Sequence, residues 1–383
     1  MTEKLRFAEA VCAGHPDRLA DTIAERIVAL AIARDPDALV GVEVALHRGV
    51  VFIDGRVAAG RESAAVAEGE IVAIARQAFT DAGYGTTPSG AFRPDPSDLE
   101  VRTDLCLGPL PEDERAIRDV SDDQSICVGH AVWGPRADHR PLEQALASQF
   151  ATALERLRVE SPDLGLGPDG KTLVVVRGRA LVGVSLSVHH APGIDWVALT
   201  REVRAACEAV AGGYSQWELE PIGPEVDWLV NGAGAFEVGG PDGDNGLSGK
   251  KLVAQAYGSA VPIGGGATHG KDPRKVDPRG QALARRLALD RVCKGTAREA
   301  TVWLAYRPGD LTPRWVEVVA LPDDEHTEEA KFNYWQSASD AYRLSFRGAS
   351  SRRATRNPPA PVGFLGTRHT GVPRNDKGKV PRE

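Results

Sequence analysis

Three segments of the chain gather the residue types that phosphate and hard-cation chemistry needs. Gly14-His15-Pro16-Asp17-Arg18 stands at the head of an apolar-periodic run. A helix start offers free N–H groups and a partial positive charge, both suited to an anion. There His15 and Arg18 can donate to phosphate oxygens, and Asp17 can hold a hard divalent cation such as magnesium. The plainer reading makes Asp17 a first-turn helix stabiliser and His15 a surface histidine. The segment GGPDGDNGLSGKK (residues 239–251) combines glycines, which let backbone approach a ligand, with Asp242, Asp244, Lys250 and Lys251. It lacks the G-x-x-x-x-G-K-[ST] spacing of a Walker loop and the G-x-G-x-x-G of a dinucleotide turn. The segment GGGATHGKDPRKVD (residues 264–277) sets Lys271 and Lys275 four apart, flanked by Asp272 and Asp277. Lysines neutralise phosphate oxygens and aspartates hold a metal, so such a loop suits a polyphosphate–metal complex. Any one of these segments also reads as a charged loop; all three together read as a phosphate site.

Smaller groups sit elsewhere. Asp122-Asp123-Gln124 is either a turn or a group that recognises a base or an ammonium. Asp169-Gly170-Lys171 reads as a turn entering a strand. His189 and His190 end a strand, with neither a cysteine pair nor H-E-x-x-H nearby to suggest zinc. No Ser-His-Asp or reactive-cysteine pattern stands out.

The elements that must position these residues recur in one order. A helix over 16–34 carries Leu19, Ile23, Ile27 and Leu30 at helical spacing. A hairpin follows, LVGVEVAL then VVFIDGRV, broken at Arg48-Gly49, and then a helix over about 62–82. The order returns with a helix near 142–159, strands KTLVVVRG and ALVGVSLSV, and a helix near 196–211. It returns again with a helix near 281–292, strands EATVWLAYR and RWVEVVAL, and a weaker helix after Glu328. Further strands fit 99–105 and 226–230. The pattern predicts an α+β fold of three pseudo-repeated α/β subdomains, each a sheet covered by helices on one face. The boundaries fall at 1–135, 136–230 and 231–345, with a basic, proline-containing tail over 346–383. Residues 231–277 are too glycine-rich for regular structure, and long ordered loops of this kind are usually functional.

Bulk properties narrow the class. At 383 residues the chain exceeds the ~150 residues usual for one domain. With 42% hydrophobic and 26% charged residues it is a globular sequence. A net charge of -7 argues against a nucleic-acid or membrane-surface binder. No apolar run approaches a bilayer span, and the N-terminus does not read as a secretory signal. Five scattered cysteines without C-x-x-C fit reduced thiols, so the expected location is the cytoplasm.

Taken in order, these segments resemble the methionine adenosyltransferases, or S-adenosylmethionine synthetases. FAEAVCAGHPDRLAD is similar to the family's N-terminal signature, DDQS to its central G-A-G-D-Q-G, and PDGKT to the segment before one of its strands. NGAGAFEVGGPDGDNGLSGKK and GGGATHGKDPRKVD resemble its two long active-site loops. The likeness runs from Phe7 to about Asp277, after which it fades. It implies three α+β subdomains and a homodimer, or a dimer of dimers, with active sites between sheet faces. The implied reaction has two steps: methionine sulfur attacks C5′ of ATP and expels tripolyphosphate, which is then hydrolysed to phosphate and pyrophosphate. Two magnesium ions per site and a potassium ion assist. On this resemblance His15, Lys171, Lys250, Lys251, Lys271 and Lys275 hold the phosphates. Asp17 and Asp277 bind magnesium, and Glu43 lies at the potassium site. Asp123 and Asp244 orient substrate, Phe236 packs on the adenine, and Asp169 and Arg18 complete the substrate site.

The departures from the pattern concentrate at the acceptor. Arg18 stands where the family has a lysine, and Lys250 where it has an arginine; charge is kept but hydrogen-bond geometry changes. Arg56 replaces the glutamate that binds the methionine ammonium, a reversal of charge. No counterpart of the family's glutamine before Ser-Pro-Asp is found near 107–112. Three readings follow: a diverged methionine adenosyltransferase; a relative with the same ATP site and an anionic acceptor; and a non-catalytic partner of a true synthetase.

Overall fold

A computed structural model describes residues 3–134, 138–214 and 218–321. The elements run β1 (Leu5–Val11), α1 (Pro16–Arg34), β2 (Leu39–His47), β3 (Val50–Ala58), α2 (Glu68–Ala82), β4 (Gly85–Thr87) and β5 (Gly90–Phe92). Next come β6 (Glu100–Gly108), α3 (Glu112–Ala116), β7 (Ser125–Val132), α4 (Leu142–Glu160), β8 (Leu166–Arg177), β9 (Ala180–His190) and α5 (Trp196–Gly212). The last are β10 (Asp227–Val230), β11 (Gly246–Leu247), α6 (Leu252–Gln255), α7 (Val276–Cys293), β12 (Glu299–Tyr306) and β13 (Trp315–Leu321). The helix expected after Glu328 and the basic tail lie outside the described residues.

Hydrophobic periodicity explains the layers. Along β2 every second residue, Val40, Val42, Val44 and Leu46, is buried, while Glu43 between them is exposed. That buried face meets Leu19, Ile23 and Ile27 of α1 and Ile71 and Phe79 of α2. The sheet order is β11-β2-β3-β6. A second sheet, β1-β8-β9-β10, packs Val174, Val176 and Leu186 on Leu146, Phe150 and Leu154 of α4 and Leu199 and Val203 of α5. A third, β13-β12-β7, is covered by α7. There Gly129 lets the helix lie against the strand: a Cβ would stand 2.1 Å from the backbone of Ala284 and Arg285. Burying a Leu, Ile or Phe side chain contributes about 1.5–3 kcal/mol, so these three interfaces dominate the fold's stability.

The repeat is real and its pieces are exchanged. Hairpin β2–β3, helix α2 and a parallel strand β6 match hairpin β8–β9, helix α5 and a parallel strand β10. Yet each strand that precedes a block's first helix pairs with the next block's sheet. β1, before α1, pairs with β8; β7, before α4, pairs with β12; β11, before α7, pairs with β2. The three blocks are therefore interlocked in a ring, and the strand-to-helix crossings between them carry the polar segments.

Two helices differ from expectation. α2 starts at Glu68 rather than near 62, and α7 at Val276 rather than near 281. Pro278 lies in the first turn of α7, where its missing N–H costs nothing. The faces turned away from the helices stay open and carry Phe7, Leu173 and Leu229 on one sheet and Trp315, Val319 and Leu321 on another, all exposed.

Candidate active site

The chain crosses from β1 into α1 at His15, which caps the helix. Its Nδ1 accepts the Asp17 N–H at 3.2 Å, so the ring proton resides on Nε2. Burial, helped by the nearby Lys171 charge and opposed by Asp17, pushes the imidazole pKa down to about 4. His15 is thus a neutral hydrogen-bond donor at physiological pH.

Asp17 lies in the first turn of α1 and is fully buried. Its Oδ1 accepts the Leu247 N–H at 3.0 Å. Lys251 Nζ stands 2.8 Å from Oδ2 and Lys250 Nζ 3.4 Å from Oδ1. Burial raises the carboxyl pKa, but the Lys251 contact and the Leu247 amide outweigh it and hold the group ionised. One turn on, buried Asp21 accepts the Gly249 N–H at 2.7 Å. Both carboxylates of α1 therefore grip the 239–251 segment by its backbone and its lysines. Lys250 also reaches Asn245 Oδ1 at 3.2 Å, and exposed Asp244 accepts the Asn245 N–H at 2.8 Å.

Lys171 stands on β8 opposite Val11, on the open face of its sheet. Asp169, two residues earlier, is buried; its Oδ2 accepts the Gly240 N–H at 2.8 Å, while Oδ1 finds no hydrogen-bond partner among the described residues. Burial pushes this carboxyl up to about 6, against the pull of the Gly240 amide. Phe236 donates its backbone N–H to His190 Nε2 at 3.0 Å, and its ring lies 5.5 Å from that of His189.

The 264–277 segment forms a second cluster. Gly270 O accepts the Val42 N–H at 2.9 Å, and Lys271 bridges to Gly41, so this loop also runs along the edge of β2. A buried pair anchors it: Arg118 holds Asp272 at 2.5 Å, and Asp272 accepts the Val40 N–H at 2.9 Å. Lys271 Nζ lies 2.5 Å from Asp277 Oδ2, whose other oxygen takes the Ser125 hydroxyl at 2.6 Å. Lys275 Nζ lies 2.5 Å from Asp122 Oδ2. Asp122, not its neighbour Asp123, makes this contact; Asp123 is exposed and accepts the Gln124 N–H. The loops meet β2 at Gly41 and Ala45, four residues and therefore about 13 Å apart.

Three predicted residues stand apart from both clusters. Arg18 turns from Asp17 toward Glu25, 3.8 Å away, on the wall of a cavity of about 660 Å³. Of the residues predicted from sequence, that cavity touches only Arg18 and Asp277. Glu43 lies on the open face, opposite Asp54 of β3, which in turn faces Asp104 of β6. Arg56 pairs with Glu114 of α3 at 2.8 Å. Sequence reasoning passed over Asp21 and Glu114, and it singled out the segment from Asp122 to Ser125 without seeing that Asp122 meets Lys275 and Ser125 meets Asp277. Asp21 alone left a signal: it repeats Asp17 at i, i+4 on a helix face that is otherwise apolar.

For a metal, the described residues hold no group of three or more His, Cys, Asp or Glu arranged to bind one. The donor set nonetheless fits magnesium, which is commonly held by one or two carboxylates plus substrate phosphates. The side-chain oxygens of Asp17 and Asp277 already face lysine cations that phosphate would also meet.

A family model described as S-adenosylmethionine synthetase, N-terminal domain, matches residues 3–103, and the corresponding C-terminal domain model matches 238–344. The second match extends well past Asp277, where the resemblance in the sequence had faded. An S-adenosylmethionine synthase 1 of Frankia casuarinae is 34% identical over 336 residues, covering 82% of this chain and 81% of its own. An S-adenosylmethionine synthase 1 of Rhodospirillum rubrum is also 34% identical, covering 81% and 79%. The S-adenosylmethionine synthase of Thermus thermophilus is 31% identical and covers 86% of each chain.

Proposed function

The chain belongs to the S-adenosylmethionine synthetase family, a family of transferases, and we propose that it makes S-adenosylmethionine from ATP and L-methionine. The observation that carries this reading is the buried Asp17 with Lys250 and Lys251 at its two oxygens. A polyanion arriving there takes over the lysines and leaves the carboxylate for a metal. The methionine sulfur, a neutral nucleophile, attacks C5′ of ATP; the C5′–O5′ bond breaks and its electrons leave with tripolyphosphate. No general base is needed. Stabilisation of the leaving polyanion by preorganised cations is the main task. Lys171, Lys250, Lys251, Lys271 and Lys275 meet its charge, and neutral His15 donates from Nε2. Water then cleaves the tripolyphosphate to phosphate and pyrophosphate.

Two magnesium ions per site would be held by Asp17 and Asp277, where they would neutralise phosphate oxygens. A potassium ion near Glu43 would relieve the like charges of Glu43, Asp54 and Asp104, which sit opposite one another on neighbouring strands. Asp123, Asp169, Asp244 and Phe236 would frame the nucleoside. A homodimer through the open sheet faces would bury their exposed apolar residues. It would also bring cations of two chains to one polyphosphate, which the separation of about 13 Å along β2 makes useful. The cysteines are unpaired, in keeping with a cytoplasmic enzyme.

Arg56 does not argue for an anionic acceptor. Its guanidinium is already met by Glu114, which carries to the same place the carboxylate that the strand lacks. Glu114 would then receive the methionine ammonium.

The test is a mass-resolved turnover assay with ATP, magnesium and potassium, with and without L-methionine. Methionine-dependent S-adenosylmethionine, phosphate and pyrophosphate are expected. ATP cleavage that ignores methionine would overturn the reading.

A further inference from the structure

Arg56 and Glu114 meet at 2.8 Å with 41% and 34% of their side chains exposed. A pair so exposed contributes little to stability, so the fold does not require it. Arg56 stands on the open face of β3, opposite Gly41 of β2. Gly41 has no side chain, and a Cβ there would lie 3.9 Å from Lys275 Cε. Only a bare glycine therefore separates the Arg56 position from the lysine cluster around Asp277. Glu114 is delivered by α3, which is firmly anchored by the residues after it. Arg115, 8% exposed, holds both oxygens of Asp35 at 3.0 and 2.6 Å and Asp37 at 3.0 Å. Arg118, also buried, donates to Ala38 O at 2.9 Å and to Asp272, in the loop that carries Lys271 and Lys275. The contact of Arg56 with Glu114 is single: Nη2 donates to Oε2, and among the described residues neither side chain makes another hydrogen bond. One carboxylate oxygen and most of the guanidinium N–H groups stay free for a ligand.

A positive and a negative charge side by side reject a ligand of one sign, since whatever one attracts the other repels. An α-amino acid carries both signs, on two groups attached to the same carbon. Laid antiparallel on the pair, its carboxylate meets the guanidinium and its ammonium meets Glu114. We infer that Arg56 and Glu114 act together as a receptor for the head group of an α-amino acid, so that an acceptor must present both charges to be used. The receptor rests on the proposed synthase activity, and acceptors that lack one charge separate the two claims.

Sulfonium formation is followed by mass spectrometry with the full chain, ATP, magnesium and potassium. The acceptors are L-methionine, its decarboxy analogue (an amine) and its deamino analogue (a carboxylate), and thermal unfolding is recorded for every variant. For the parent, kcat/KM with either analogue should fall about a hundredfold or more below that with methionine, since one charge of the pair then faces its like or nothing. Arg56→Ala should cost methionine about tenfold to thirtyfold and leave the decarboxy analogue within about threefold of its parent value. Glu114→Gln should cost methionine about fivefold and leave the deamino analogue within about threefold. Each variant thus narrows the preference for methionine over the one analogue that never used the missing charge. A purely structural role would lower all three acceptors alike. Folded variants that do so, or a parent that uses either analogue as well as methionine, would overturn the receptor and leave the synthase activity standing. A parent chain that forms no sulfonium from methionine would overturn the synthase reading, and the receptor with it.

Discussion

The two lysine–aspartate clusters use the same side chains under different solvation. Around Asp17 the carboxylate is buried, rooted in a helix, and fixed by a backbone amide as well as by lysines. Around Asp277 the pair sits on a loop-to-helix junction, with Lys271 31% exposed and Asp277 13%. A buried charge without its partner is expensive, whereas an exposed pair contributes little to stability. The first cluster is therefore part of the fold as well as of the site; the second can be dismantled without unfolding the chain.

The sharpest way to break this comparison is Asp17→Asn. It should lower kcat/KM for ATP about a hundredfold or more, with a fall in melting temperature, because Lys251 is left without its counter-charge. Near-normal turnover in a steady-state assay would sink the assignment. Asp169→Asn isolates burial from pairing, since Asp169 is buried without a lysine contact. Its folded pKa of about 6 exceeds the ordinary 3.8, so the unfolded chain binds fewer protons between those values and stability falls as pH rises through them. A rise of that size corresponds to at most about 3 kcal/mol. The variant should match the parent near pH 4 and be more stable above pH 6.5 in chemical denaturation. A constant offset across that range would contradict the account.

Lys271→Ala should lower turnover about tenfold, with a melting temperature within a degree or two of the parent, since Asp277 keeps its Ser125 contact. A large loss of stability would erase the contrast between the clusters. The smallest effect is expected outside both: Glu114→Gln should raise the KM for methionine about fivefold and leave that for ATP alone. An unchanged methionine KM would remove Glu114 from the acceptor site.

Much of this molecule was legible in the residues. Leu19, Ile23 and Ile27 marked α1, and its start at Pro16 was read correctly, whereas the capping role of buried His15 was not. The two hairpins were plain because Arg48 and Gly178, both at positive φ, punctuate alternating strands. β1 and β7 were not marked, because each owes its place to a partner more than 150 residues away rather than to its own pattern. The same limit hid the anchoring pair Arg118–Asp272 and the contact of Arg56 with Glu114. Residue types pointed to phosphate chemistry; which aspartate faces which lysine was set by tertiary packing, as the substitution of Asp122 for Asp123 shows.

The ring of exchanged strands has a consequence for synthesis on the ribosome. Among the described residues the edge of β2 is closed by Gly246–Ser248 and by Gly270–Asp272, and Gly246 follows its partner Leu46 by 200 positions. At about 5–20 residues per second, that edge is made some 10–40 seconds before its cover. Through that interval the nascent chain displays an unpaired strand, an invitation to another nascent chain or a chaperone. The same loops that carry Lys250, Lys251, Lys271 and Lys275 are what finally withdraw it.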